Sequence, residues 1–411
     1  MKQAMPVLSI ALIVLAFVAG RTTSGGGAGE RDYQGYYMGA AEAYDIAVRT
    51  DSPPADASDP ERWAQVLALY RRVFDNYPDS EYADDALFAV AARIDVQDQA
   101  DTAFALYRRI LNDYPDCARA PDALNAIGVA LFQRAEYDRA LVLFDRFLRE
   151  YPSSALYEDV SLSHAVCQLK RGAYDSALTE LETFTERFPL TDKLPAAMFY
   201  RGVIFHERQE FDLARSQFRN LIEIADPEYA PASQFNIGQT YFDERGFASA
   251  IEAYEQTMEL YPDTEFAEES AFRIGWAAER LQEYERAVTA LRAAIAKHPN
   301  SKNTPAAQGF MARIYLDGLD DMDSAIAAYR EIVNETIRIA SIETDERSGY
   351  DVRRNAQYRI AKIYQDRDDP RAVAEYESLL KMFPEEHSNP SHGSNEIDEA
   401  YILELRADSA A

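Results

Sequence analysis

Histidine and cysteine are the side chains best suited to ligate a metal or carry a nucleophile, and in this chain their spacing supports neither. His164, His206, His298, His387 and His392 nowhere form the His-Glu-x-x-His pattern that sets two imidazoles on one helical face. His206-Glu207 runs on into Arg208-Gln209-Glu210, so that motif fails. His387 and His392 share a late polar loop and are read as solvated loop residues. Cys117 and Cys167 are too few for a disulfide framework or a cysteine-built zinc site, and no sequence neighbour makes either a thiolate. They are expected to be packing residues, roughly 20 Å apart along neighbouring helices at 1.5 Å rise per residue. Gly25-Gly26-Gly27 lacks the Gly-Lys-Ser/Thr ending that would cradle phosphate, and no Gly-x-Ser-x-Gly elbow occurs. No catalytic site, cofactor or metal is expected.

The other candidate chemistry is aromatic. Phe88, Asn125, Leu162, Phe199, Phe235 and Phe272 recur at near-constant spacing, Tyr358 follows after a slip in register, and Phe242 and Trp276 stand close by. Such a ladder could be an apolar track for peptides or partner helices; the same spacing equally suits rings packed between successive helices. Asp85, Asp95, Asp122, Asp159, Glu207, Asp243, Glu269 and Glu279 surround it, so a groove here is expected to be acidic and to favour basic or amphipathic segments.

These side chains must be placed by a repeat. Pro78, Pro115, Pro152 and Pro189 recur every 37 residues, and Pro227, Pro262 and Pro299 continue the series with small slips. Most close the same phrase, as in Asn76-Tyr77-Pro78-Asp79-Ser80 and Leu260-Tyr261-Pro262-Asp263-Thr264. Proline stops a helix, and the Asp, Ser or Thr after it can cap the next. A second series, Ala103, Ala140, Ala177, Ala214, Ala250, Ala287, Ala325 and Ala372, falls four residues before Tyr107, Phe144, Leu181, Phe218, Tyr254, Leu291, Tyr329 and Tyr376. That interval puts a small and a bulky residue on one helical face. Twelve residues upstream of the first six alanines lie Ala91, Gly128, Ala165, Gly202, Gly238 and Gly275, small enough for two helices to cross closely.

Small residue, aromatic turn, alanine, aromatic, proline: this order resembles the tetratricopeptide repeat (TPR) over about residues 60 to 384, with Glu136-Tyr137-Asp138-Arg139-Ala140 and Glu283-Tyr284-Glu285-Arg286-Ala287 the strongest phrases. The resemblance implies an all-α, right-handed superhelical solenoid of antiparallel helix pairs, about nine repeats, whose first helices line a concave wall. It implies a non-catalytic scaffold that binds proteins or peptides. The longer repeat with its Tyr-Pro-Asp-Ser/Thr turn is similar to bacterial envelope repeat proteins, the outer-membrane β-barrel assembly lipoprotein and the Tol-Pal coordinator family. A repeat platform or accessory subunit of a cell-wall or proteolytic enzyme is the competing expectation. Chaperone-tail clamps of this fold use Lys, Arg and Asn on the inner helices, where this chain is mostly aromatic or acidic.

Lys2 and the apolar run Met5 to Gly20 resemble a secretory signal, so the chain is expected to be exported, to the periplasm or the periplasmic side of a membrane. Val18-Ala19-Gly20 is similar to a lipobox, but Arg21 stands where the lipidated cysteine would be. The expected divisions are a signal at 1–20, a linker at 21–31, an irregular helical repeat at 32–78, a regular array at 79–336, and an insertion loop at 337–349. A last repeat at 350–384, a loop at 385–395 and a capping helix with tail at 396–411 follow. The insertion is required because Pro299 and Pro384 are 85 residues apart, two repeats plus 11. A net charge of -28 argues against nucleic acid as a partner.

Overall fold

The computed structural model describes residues 39–52, 59–95, 100–224, 226–334 and 346–382. Eighteen α-helices and no strand occur among them. In chain order these are α1 (Ala40–Thr50), α2 (Pro60–Asn76), α3 (Ala83–Asp95), α4 (Ala100–Asp113), α5 (Ala120–Gln133), α6 (Tyr137–Glu150), α7 (Tyr157–Arg171), α8 (Tyr174–Arg187) and α9 (Leu194–Glu207). Then come α10 (Phe211–Glu223), α11 (Ala230–Asp243), α12 (Phe247–Leu260), α13 (Glu265–Arg280), α14 (Tyr284–Lys297), α15 (Thr304–Arg313), α16 (Met322–Asn334), α17 (Glu346–Asp366) and α18 (Arg371–Met382). The chain divides into two compact units, Met1–Ala197 and Met198–Ala411. Within each, helices touch chiefly their neighbours in sequence, as stacked hairpins do.

Two kinds of turn alternate, and each has a separate cause. Between hairpins, the proline phrase closes with a repeated pair of backbone bonds. Ser80 N–H donates to Tyr77 O and Ala83 N–H to Ser80 O; Cys117 with Tyr114 and Ala120, and Ser301 with His298 and Thr304, repeat the pattern. The hydroxyls Ser154 Oγ, Thr191 Oγ1 and Ser301 Oγ also accept a nearby amide at 3.2, 3.2 and 3.1 Å. Thr264 caps α13 by accepting from Ala267 N–H. Cys117 therefore occupies the turn position that Ser80, Ser154, Thr191, Thr264 and Ser301 fill in five other repeats.

Within hairpins, the turn is made by one residue in the left-handed region. Ala135, Gly172, Gln209, Arg245, Gln282, Asp320 and Asp368 have φ of 59, 83, 60, 67, 62, 52 and 51°. The next residue's N–H reaches back five positions, as from Glu136 to Leu131 O, Glu210 to Phe205 O and Glu283 to Ala278 O. This is the Schellman closure, which satisfies the last carbonyls of the first helix. Only one of the seven is glycine, so no composition signal marks the turn.

The small-to-bulky crossing is as tight as the spacing implies. Ala103, Ala140, Ala177, Ala214, Ala250 and Ala287 are fully buried, and so are Phe144, Leu181, Phe218, Tyr254 and Leu291. A methyl group added at Gly128, Gly202 or Gly238 would lie 2.5, 2.6 and 2.5 Å from the ring of Phe144, Phe218 and Tyr254, and one at Gly275 would lie 2.6 Å from Leu291 Cδ2. The interval of 12 breaks at Ala325, where Arg313 would be the small residue. A π-helical turn, Ile314–Gly318, follows α15 and absorbs one extra residue, which puts buried Ala312 at the crossing.

Of the expected insertion loop 337–349, residues 346–349 form the first turn of α17. The N–H groups of a first helical turn have no intrahelical acceptor, so Ser348 and Gly349 interrupt fewer helical bonds there than they would in mid-helix. The signal, the linker, Arg21, the rest of the insertion, the loop with His387 and His392, and the capping helix lie outside the described residues. No helix among those described is long and apolar enough to cross a membrane.

Candidate interaction surface

The ladder sits on the first helix of each pair, and its members divide by burial. Phe88, Phe199 and Phe272 are 8%, 2% and 0% exposed and offer a partner almost no surface. Their rings belong to the core. Phe88 leans on Tyr107 at 5.6 Å, and Phe199 on Phe218 at 5.7 Å and Tyr229 at 5.4 Å. For these three the packing alternative holds, because the bulky residue of the second helix and the opening residue of the next repeat enclose the ring. Arg119 likewise covers Phe88, with its guanidinium carbon 5.3 Å from the ring centre.

Leu162, Phe235, Phe242, Trp276 and Tyr358 are half-buried, each keeping part of its surface outside the core. Phe235 touches Tyr254 and Phe266, Phe242 touches Phe247, and Tyr358 touches Tyr376. Trp276 meets Phe310 of the next first helix edge-on at 6.3 Å, while Arg273 stacks over its ring at 5.0 Å. Asn125 is 9% exposed, and its Oδ1 has no hydrogen-bond partner. One ladder position escaped the sequence reading. Gly309 lies 37 residues after Phe272, and a methyl group there would meet nothing within 4 Å. Its spacing alone identifies it; the missing ring hid it.

Six of the eight surrounding acids have a basic or amide partner within the chain. Asp85 is bonded to Arg119, and Asp122 lies 3.4 Å from the same guanidinium. Asp159 pairs with Lys193 at 3.3 Å, and Asp243 with His206 at 2.8 Å. Glu269 holds Arg273 at 3.0 Å and accepts from Asn303 Nδ2 at 2.6 Å, while Glu279 lies 3.8 Å from Arg280. Burial raises the pKa of Asp122 and of Asp159 despite these cations.

Among the described residues no group of three His, Cys, Asp or Glu could hold a metal. Both thiols are free, and burial pushes each pKa up to about 12, so neither is a thiolate near neutral pH. His164 stands where the preceding first helix has Ile127, a buried core position. Its Nδ1 lies 2.6 Å from Glu180 of α8, and Nε2 lies 3.0 Å from Asp145 of α6, off hydrogen-bond geometry. Burial opposes charge on the ring, but the two carboxylates outweigh it and raise the imidazole pKa. The ring thus ties two successive hairpins together.

A tetratricopeptide repeat family model matches residues 96–155, 164–230, 235–302 and 272–340, together more than half of the chain, and a second tetratricopeptide repeat model matches 355–386. Neither family is catalytic or nucleic-acid-binding. A search of curated proteins finds no match. Among solved structures, a tetratricopeptide repeat protein from Parabacteroides merdae is 14% identical, with 72% of this chain and 100% of that one covered and a TM-score of 0.41. The C-terminal part of a TPR repeat-containing protein from Cytophaga hutchinsonii is 21% identical over 64% of this chain and 95% of that one, with a TM-score of 0.47. PilF from Pseudomonas aeruginosa is 17% identical over 56% and 97%, with a TM-score of 0.41.

Proposed function

The chain belongs to the tetratricopeptide repeat family, and from that premise we propose that it is a non-catalytic scaffold of the bacterial cell envelope, exported by its N-terminal apolar segment, that holds amphipathic segments of other envelope proteins on the faces of its first helices. One observation carries this reading: Phe235, Phe242, Trp276 and Tyr358 keep ring surface outside the core of the second unit, while the second-helix residues Phe218, Tyr254 and Leu291 are wholly buried. Half-buried aromatic side chains on rigid helices are low-entropy anchors for a partner. A role in outer-membrane protein assembly or envelope organisation fits the longer repeat and its Tyr-Pro-Asp-Ser/Thr turn.

The test uses side chains that can be removed without emptying the core. Truncating buried Phe199 or Phe272 would cost about 3–5 kcal/mol of packing and confound folding with binding. Phe242→Ala and Trp276→Ala keep the second-helix core intact. Pull-down from envelope extract should recover a reproducible partner with the parent chain and lose it with the double variant, and cell fractionation should find the protein outside the cytoplasm. Unchanged recovery with the double variant, or a cytoplasmic protein, would count against the corresponding part of the proposal.

A further inference from the structure

Three features converge on ten residues of the second unit. At Gly309 the ladder has a gap, with open space where a side chain would begin. One turn on, along the same helical stripe, Arg313 is exposed and stacks over Phe310, its guanidinium carbon 4.8 Å from the ring centre. The π turn Ile314–Gly318 begins at the next residue. Such turns are rare and concentrate where a helix serves a function.

We propose that the Gly309–Arg313 stretch of α15 is a subsite for an extended peptide carrying an acidic residue beside a bulky apolar one; this rests on the scaffold reading above. Charge complementarity gives the acid. Arg273, the neighbouring guanidinium on a ring, is already neutralised by Glu269 at 3.0 Å. Arg313 makes no ion pair among the described residues. Asp317, the acid that ordinary α-helical geometry would stack four residues on, falls within the π turn, whose wider winding takes it out of that alignment. A guanidinium resting on an aromatic face is partly desolvated and held in place, so it loses little freedom in accepting a carboxylate.

Shape gives the apolar neighbour. In the preceding repeat the ladder position is filled by Phe272, whereas at Gly309 it is vacant beside half-buried Phe310, which itself meets Trp276 edge-on. A bulky side chain from the peptide can take the place that the absent ring leaves. The net charge of -28 acts at long range and is screened within about 8 Å at physiological salt, whereas a carboxylate on Arg313 acts at contact.

Selection of random displayed dodecapeptides on the full chain, on Arg313→Glu and on Gly309→Leu tests this at about 0.15 M salt. Arg313 is exposed and a Cβ at Gly309 meets nothing within 4 Å, so neither substitution displaces a core side chain. The expected result is enrichment of peptides with Asp or Glu adjacent to Leu, Phe or Trp on the parent chain, with affinity lowered about tenfold or more on Arg313→Glu. Gly309→Leu should retain the acidic requirement and lose the apolar one. Enrichment of basic peptides, or acidic ones that bind Arg313→Glu equally well, would overturn the subsite and leave the scaffold reading standing. No enrichment on any of the three would overturn both.

Discussion

Gly275 and Gly309 are both interior to a first helix, yet adding one methyl group should have opposite effects at the two. Glycine in mid-helix is worse than alanine by about 0.5–1 kcal/mol, and either Gly→Ala change recovers that amount. At Gly309 nothing lies within 4 Å of the new carbon, so the recovery stands alone and the variant should be more stable. At Gly275 the new carbon lands on the side chain of fully buried Leu291. Overpacking of that kind costs about 1–3 kcal/mol, which cancels or exceeds the gain. Because the propensity gain is common to both variants, the difference between them isolates the clash at about 1–3 kcal/mol. Repeat arrays do not unfold as one cooperative whole, so the suitable assay is native-state amide hydrogen exchange of α13, α14 and α15, where the two variants should differ by about 5- to 150-fold in protection. Equal shifts of the same sign would refute the close crossing on which every hairpin here is built.

Two further predictions concern buried charge. Asp51 and Arg93 form an ion pair, 6% and 8% exposed, under the ring of Tyr70, so Asp51→Ala should cost about 3–5 kcal/mol of local stability by leaving the guanidinium unmatched, whereas breaking the exposed Arg49–Asp45 pair should cost about 0.5 kcal/mol or less; amide hydrogen exchange of α1, α2 and α3 in the two variants compares them. His164 has a raised folded-state pKa, so its contribution is fully present below the unfolded value of about 6.5 and is lost as pH climbs through the folded one. Amide hydrogen exchange of α6, α7 and α8 in the parent chain and in His164→Ile, corrected for the intrinsic pH dependence of exchange, should show the parent alone losing protection across that window as pH rises, and an imidazole titrating at or below its ordinary value by NMR would disprove the assignment.

Much of the architecture was legible because it depends on residues whose type cannot be exchanged. Proline after an aromatic ends a second helix, and glycine or alanine opposite Phe144, Phe218, Tyr254 and Leu291 marks each crossing. The left-handed turn inside each hairpin was not legible, since Ala135, Gln209, Arg245 and Gln282 adopt a conformation that their composition does not advertise. Nor was the extra residue after Ala312, which the π turn takes up without interrupting the helix. For the ladder, spacing located the first-helix stripe but could not separate Phe272 from Trp276. One is enclosed by its neighbours and the other is half-buried, and that depends on what the following repeat brings over it. The same limit applies to the acids, whose partners Arg119, Lys193 and Asn303 come from about a repeat further on.

Those last partners bear on how such a chain could be rearranged. Four junctions have distinct matched halves: a carboxylate and a guanidinium at Asp85 and Arg119, a carboxylate and an ammonium at Asp159 and Lys193, two rings at Phe235 and Phe266, and a carboxylate and an amide at Glu269 and Asn303. Transposing two hairpins would set a charge against a ring, or bring an acid to a seat with no base. Although the hairpins share one backbone plan, they are not interchangeable bricks, and their serial order is written into the chemistry of the seams.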